Sequence, residues 1–136
     1  MLDKERVVKV AIAVALLPVL AACATTSAAS QERAVPANYK LLIAKHIRAT
    51  EKNPILSAQV SRPSQAWMGL INGGNRPIAC ARWTFKGSLI DQTQVAGYFF
   101  ENGKISEAFY PSYYGGAMLL TCGNVTYVPF PELRSK

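Results

Sequence analysis

"QVAGYFFENGKISEAFY", Gln94 to Tyr110, decides the fold. Two apolar and aromatic arms flank Asn102-Gly103, a dipeptide that supplies the left-handed backbone positions of a tight I′ turn and so joins two antiparallel strands. Upstream, "IACARWTFK", Ile78 to Lys86, sets Ala79, Ala81, Trp83 and Phe85 on one side and Cys80, Arg82, Thr84 and Lys86 on the other. That alternation predicts a strand with one apolar face.

Further out, the period of two recurs. "ILSAQVS", Ile55 to Ser61, alternates Leu56, Ala58 and Val60 with polar neighbours, and "AWMGLI", Ala66 to Ile71, reads as another strand before the turn-rich "NGGNRP", Asn72 to Pro77. "AMLLTC", Ala117 to Cys122, is a last strand candidate after the bend "PSYYGG", Pro111 to Gly116. Beyond Tyr127, Pro129 and Pro131 predict an extended or frayed tail. No repeat of fixed period is visible.

One segment has helical periodicity. In "NYKLLIAKHIRATEKNP", Asn38 to Pro54, Tyr39, Leu42, Ile43, His46, Ile47 and Thr50 share one face and Lys45, Arg48 and Lys52 the other, with Asn38 as cap and Asn53-Pro54 as stop. One amphipathic N-terminal helix followed by four to six short antiparallel strands predicts an α+β domain, the helix covering one face of the sheet. A small β-barrel is the alternative.

With 136 residues, half of them apolar, the chain suffices for one packed domain. Its start reads as an export signal. Lys4, Arg6 and Lys9 precede Val10 to Leu20, an uncharged run shorter than the roughly 20 residues a membrane-spanning helix needs, and small residues then lead to Cys23. Leu20-Ala21-Ala22-Cys23 resembles the lipobox of small Gram-negative bacterial lipoproteins. The resemblance implies cleavage before Cys23 and its lipidation with diacylglyceryl and palmitate-type chains. A membrane anchor that does not span the bilayer follows. Ala24, in place of an aspartate, implies by the same resemblance delivery to the outer membrane, facing the periplasm. Inner membrane and cell surface are the alternatives. The expected organisation is a signal peptide over 1–22, lipidated Cys23 with a flexible Ala/Ser/Thr-rich tether over 23–37, and a single domain over 38–136.

If Cys23 carries lipid, Cys80 and Cys122 are left in an oxidising compartment and neither sits in a C-x-x-C pair. A structural disulfide is the natural reading, with two separately buried thiols as the alternative.

Chemistry is sparse. The sole histidine, His46, has no Cys, Asp or Glu at ligand spacing, which argues against a metal site or a histidine-based nucleophile. Asp91, Glu101, Glu107 and Glu132 are scattered, and Gly73-Gly74 and Gly115-Gly116 do not continue into a phosphate-loop motif. No catalytic residues, cofactor or metal are expected, and the chain reads as a non-enzyme. The net charge is +7, and removal of residues 1–22 would leave +6. Such a balance suits anionic headgroups, lipopolysaccharide or peptidoglycan, and nucleic acid is not an expected partner of an exported protein. The candidate binding surface is Lys45, Arg48 and Lys52 together with Tyr113 and Tyr114. The expectation is a lipid-anchored envelope subunit that contacts a protein partner. A module for an anionic envelope polymer and an inhibitor of a cell-wall hydrolase are the alternatives.

Overall fold

The strand-rich sequence folds into a six-stranded antiparallel sheet with a few short helices. A computed structural model describes residues 32–71, 73–110 and 121–134. Arg33–Lys136 forms one compact unit. The elements are α1 (Tyr39–Thr50), β1 (Ile55–Ser61), β2 (Ser64–Trp67), β3 (Asn75–Phe85), β4 (Gln92–Glu101), β5 (Lys104–Phe109), β6 (Tyr127–Pro129) and α2 (Pro131–Arg134). Sheet order is β5-β4-β3-β1-β6, with β2 paired to the first half of β3.

The Asn102-Gly103 turn joins β4 to β5 with φ of 50° and 71°, both left-handed as a I′ turn requires. β3 is the hub, because it pairs with β1, β2 and β4. Its alternation sorts the core into two clusters. Ala79, Ala81, Trp83 and Phe85 face α1 with Val60, Tyr98, Phe100 and Phe130, whereas Ile78 and Cys80 face the other way with Ala66, Phe99 and Cys122. From α1 the chain buries Tyr39, Ile43, Ala44 and Ile47, while Leu42 is half-buried and Thr50 exposed.

The structure departs from the sequence pattern at several points. Asn38 makes no side-chain cap: its backbone carbonyl accepts from the Leu41 and Leu42 amides, and the Pro36 carbonyl accepts from Tyr39. Leu56 is exposed and Ile55 packs on the core instead, because a register irregularity between Ile55 and Ser57 exchanges their sides. Strand β2 occupies Ser64–Trp67, and residues 68–71 belong to the turn that follows. Of the segment 117–122, residues 117–120 lie outside the described residues and Cys122 sits in a helical turn over 121–123. The tail is neither frayed nor merely extended. Val128 pairs with Val60, and Phe130 and Leu133 are buried, so apolar burial at two positions holds down a proline-bearing segment.

Candidate functional site

The face of the sheet turned away from α1 is closed at one end and open at the other. At the closed end Cys80 and Cys122 form a disulfide, with sulfurs 2.11 Å and Cα atoms 5.7 Å apart, across a sequence separation of 42. Both cysteines are buried with Ala66, Ile78 and Phe99. Ser61, fully buried, ties this cluster to the helix side. Its Oγ accepts the Cys80 amide at 2.8 Å, and its carbonyl accepts the Tyr39 hydroxyl at 3.0 Å. A buried amide on the strand that carries the disulfide therefore keeps a partner where β1 leaves its ladder with β3.

Two arginines border the cluster, each stacked on an aromatic ring. The Arg76 guanidinium lies 4.3 Å from the Phe99 ring centre and pairs with Glu107 at 3.5 Å; that of Arg82 lies 4.5 Å from the Tyr127 ring centre and donates to Gln59 Oε1. Stacking of this kind desolvates one side of the cation and leaves its edge free to donate. Tyr127 is itself fixed, because its hydroxyl donates to the Cys122 carbonyl at 2.8 Å. Burial raises the Tyr127 hydroxyl above the ordinary phenol range, with Arg82 opposing it, so it is a neutral donor at physiological pH.

Between these groups lies a groove of about 450 Å³, bordered by Gln59, Arg82, Val95, Cys122, Gly123 and Tyr127. Alongside it Thr84 and Thr93 share a hydroxyl hydrogen bond at 2.8 Å. The donors and the ring can hold an anionic or hydroxyl-bearing group. Among the described residues no three His, Cys, Asp or Glu side chains are grouped to hold a metal.

The residues marked by the sequence fall elsewhere. Cys23, Tyr113 and Tyr114 lie outside the described residues. Lys45 is exposed on α1. Arg48 donates to the Glu132 carbonyl of α2, and Lys52 Nζ donates to the Ala49 carbonyl at 3.0 Å. Arg48 and Lys52 thus attend to carbonyls of helical residues, as cations near a helix C-terminus commonly do. His46 turns its ring edge-on to Tyr98, with centroids 5.6 Å apart, and its Nε2 is 3.4 Å from the Tyr110 hydroxyl. It belongs to an aromatic cluster on the helix side.

The linear sequence carries only part of the groove. Alternation along β3 put Cys80, Arg82 and Thr84 on one face, which is half the signal. Gln59 and Tyr127 join them only through strand register. No protein-family model matches the chain, and neither a search of curated proteins nor a search of solved structures finds a similar one.

Proposed function

We propose that the protein is a lipid-anchored subunit of the bacterial envelope, held at the outer membrane by acyl chains on Cys23 and presenting its folded unit to a protein partner in the periplasm. The observation that supports it is the Cys80–Cys122 bond, which suits an oxidising compartment, taken with Leu20-Ala21-Ala22-Cys23 at the end of a short apolar run. In this reading the fold is α+β and not a closed barrel, since α1 covers one face of the sheet and β5 does not pair with β6 among the described residues.

Replacement of Cys23 by serine tests the anchor. The expected result is loss of the protein from the membrane fraction and loss of the acyl mass on its first mature residue. An unchanged fractionation with an unmodified N-terminus in the parent protein would overturn the reading.

A second reading is favoured by the groove at Arg82: recognition of an anionic envelope polymer such as peptidoglycan or lipopolysaccharide. Binding to isolated cell-wall sacculi should then weaken steeply with salt and fall further with Arg82→Ala. Retention insensitive to both points back to a protein partner.

A further inference from the structure

The unit exposes apolar side chains at two opposite ends of β3. Before its first residue, Trp67 at the end of β2 and Leu70 and Ile71 of the turn that follows are exposed by 54%, 87% and 98%; after its last, the β3–β4 loop presents Leu89 and Ile90, exposed by 96% and 73%. Eleven extended residues separate the two ends, roughly 33 Å. Solvent exposure of so many large aliphatic groups calls for an occupant.

Only one end lies where the chain enters the compact unit. Arg33, its first residue, pairs with Glu101 at 4.0 Å, and a Cβ on Gly73 would stand 3.4 Å from Arg33 Nη1. Ile71, Gly73, Arg76 and Glu101 border a shallow depression together with Arg33. Lys104, exposed, is paired across the β4–β5 turn with Glu101. The described residues of this turn are held by specific contacts. Gly69, Gly73 and Gly74 take φ of 83°, 90° and 67°, the Met68 and Gly74 amides donate to the Gly74 and Gly69 carbonyls at 2.9 Å, and the Trp67 ring lies 3.3 Å from where a Gly74 Cβ would be. The left-handed backbone favours glycine there, and the Trp67 ring packs closely over Gly74.

We propose that the Trp67–Leu70–Ile71 tip enters the interface of the membrane that holds Cys23, giving the unit a second, non-covalent point of attachment. The proposal rests on the lipid-anchored reading above. Arg33 stands ten positions after Cys23, so the link reaches at most about 35 Å and as a coil about half that. The tip at this end is within easy reach of the bilayer, and the Leu89–Ile90 end is a strand length farther away. Its chemistry matches in order: an indole for the headgroup level, two aliphatic side chains to go deeper, and Arg33 and Lys104 alongside for phosphates.

Trp67 reports on the contact directly, because the chain has two tryptophans and the other, Trp83, is buried. The experiment takes the full processed protein, purified from membranes and reconstituted in phosphatidylethanolamine–phosphatidylglycerol vesicles whose acyl chains are brominated near the glycerol end. Flotation reads the anchor, and bromine quenching reads the tip. The expected result is flotation with loss of most Trp67 emission and none of Trp83, the two being separated by a Trp67→Phe control. Leu70→Asn with Ile71→Asn should keep flotation and cut the quenching severalfold, while Leu89→Asn with Ile90→Asn should leave both unchanged. Vesicle-bound protein with unquenched Trp67 overturns the proposal and leaves the anchor standing, and a blue-shifted but unquenched Trp67 assigns the tip to a protein surface. Failure to float, with no acyl mass on Cys23, overturns the anchor and the tip proposal with it.

Discussion

The two faces of the sheet are closed by different means. On the helix side, apolar packing does most of it: Ile43 and Ile47 of α1, Phe130 after β6 and Leu133 of α2 cover Val60, Ala81, Tyr98 and Phe100. On the other side a small cluster is pinned by the Cys80–Cys122 bond, and the rest of the face stays polar and open around Gln59, Arg82 and Thr84. A face closed by packing is filled by its own side chains, and its depressions lie at the margin, beside Phe130 and Leu133. One closed by a covalent bond needs little apolar cover, and the freed surface becomes a groove.

The largest effect that sharpens this contrast is loss of a helix-side ring. Phe100→Ala should cost about 3–5 kcal/mol, a large part of a typical domain's 5–15 kcal/mol. Urea midpoints measure it. A smaller loss than for Phe99→Ala on the other side would reverse the ranking of the two faces. Next comes removal of the bond. Cys80→Ala with Cys122→Ala should cost about 4 kcal/mol by loop entropy, seen as a lower midpoint that reductant no longer changes. A double variant as stable as the parent would mean that packing closes both faces alike.

Ser61 belongs to both sides, and Ser61→Ala should cost about 1–3 kcal/mol by stranding the Cys80 amide. Amide exchange at Cys80 should rise, and unchanged protection there would show that the amide has another partner.

The smallest effect is alkaline. Burial first, and Tyr110 beside it, hold the Tyr98 hydroxyl far above the ordinary phenol range. The folded protein therefore keeps a neutral Tyr98 where the unfolded chain ionises. The stability this contributes is fully present below about pH 10 and declines above it, by about 1.4 kcal/mol per pH unit. Tyr39 and Tyr127 are shifted the same way, mainly by burial. Tyr98→Phe should flatten the decline on a plot of urea midpoint against pH, and an unaltered slope would place the alkaline loss in other groups.

What could be read from the residues depended on whether the cause was local. The β4–β5 hairpin was legible because Asn102-Gly103 encodes its own turn, and β3 because four apolar residues alternate without interruption. Ile55 and Leu56 misled because a bulge exchanges neighbours without leaving a mark on composition. Phe130 and Leu133 are single apolar residues among prolines and charges, and only the cavity between α1 and β1 makes them core. Arg48 reads as free charge, since nothing in a periodic pattern announces that its acceptor, a carbonyl of α2, lies 84 residues away. Most of the groove was invisible for the same reason: Arg82 meets Gln59 and Tyr127 through pairings that the linear order does not contain.

Strand β6 and Phe130 also set an order of events. Because β1 has β6 as its outer neighbour and the helix-side core is plugged from beyond it, a chain interrupted at Gly123 holds nearly every strand and still has an open interior. Phe130 and Leu133 reach the core only once their own segment has cleared whatever ribosome or pore delivers it. Truncated copies would carry that vacancy as a mark by which proteases can sort them.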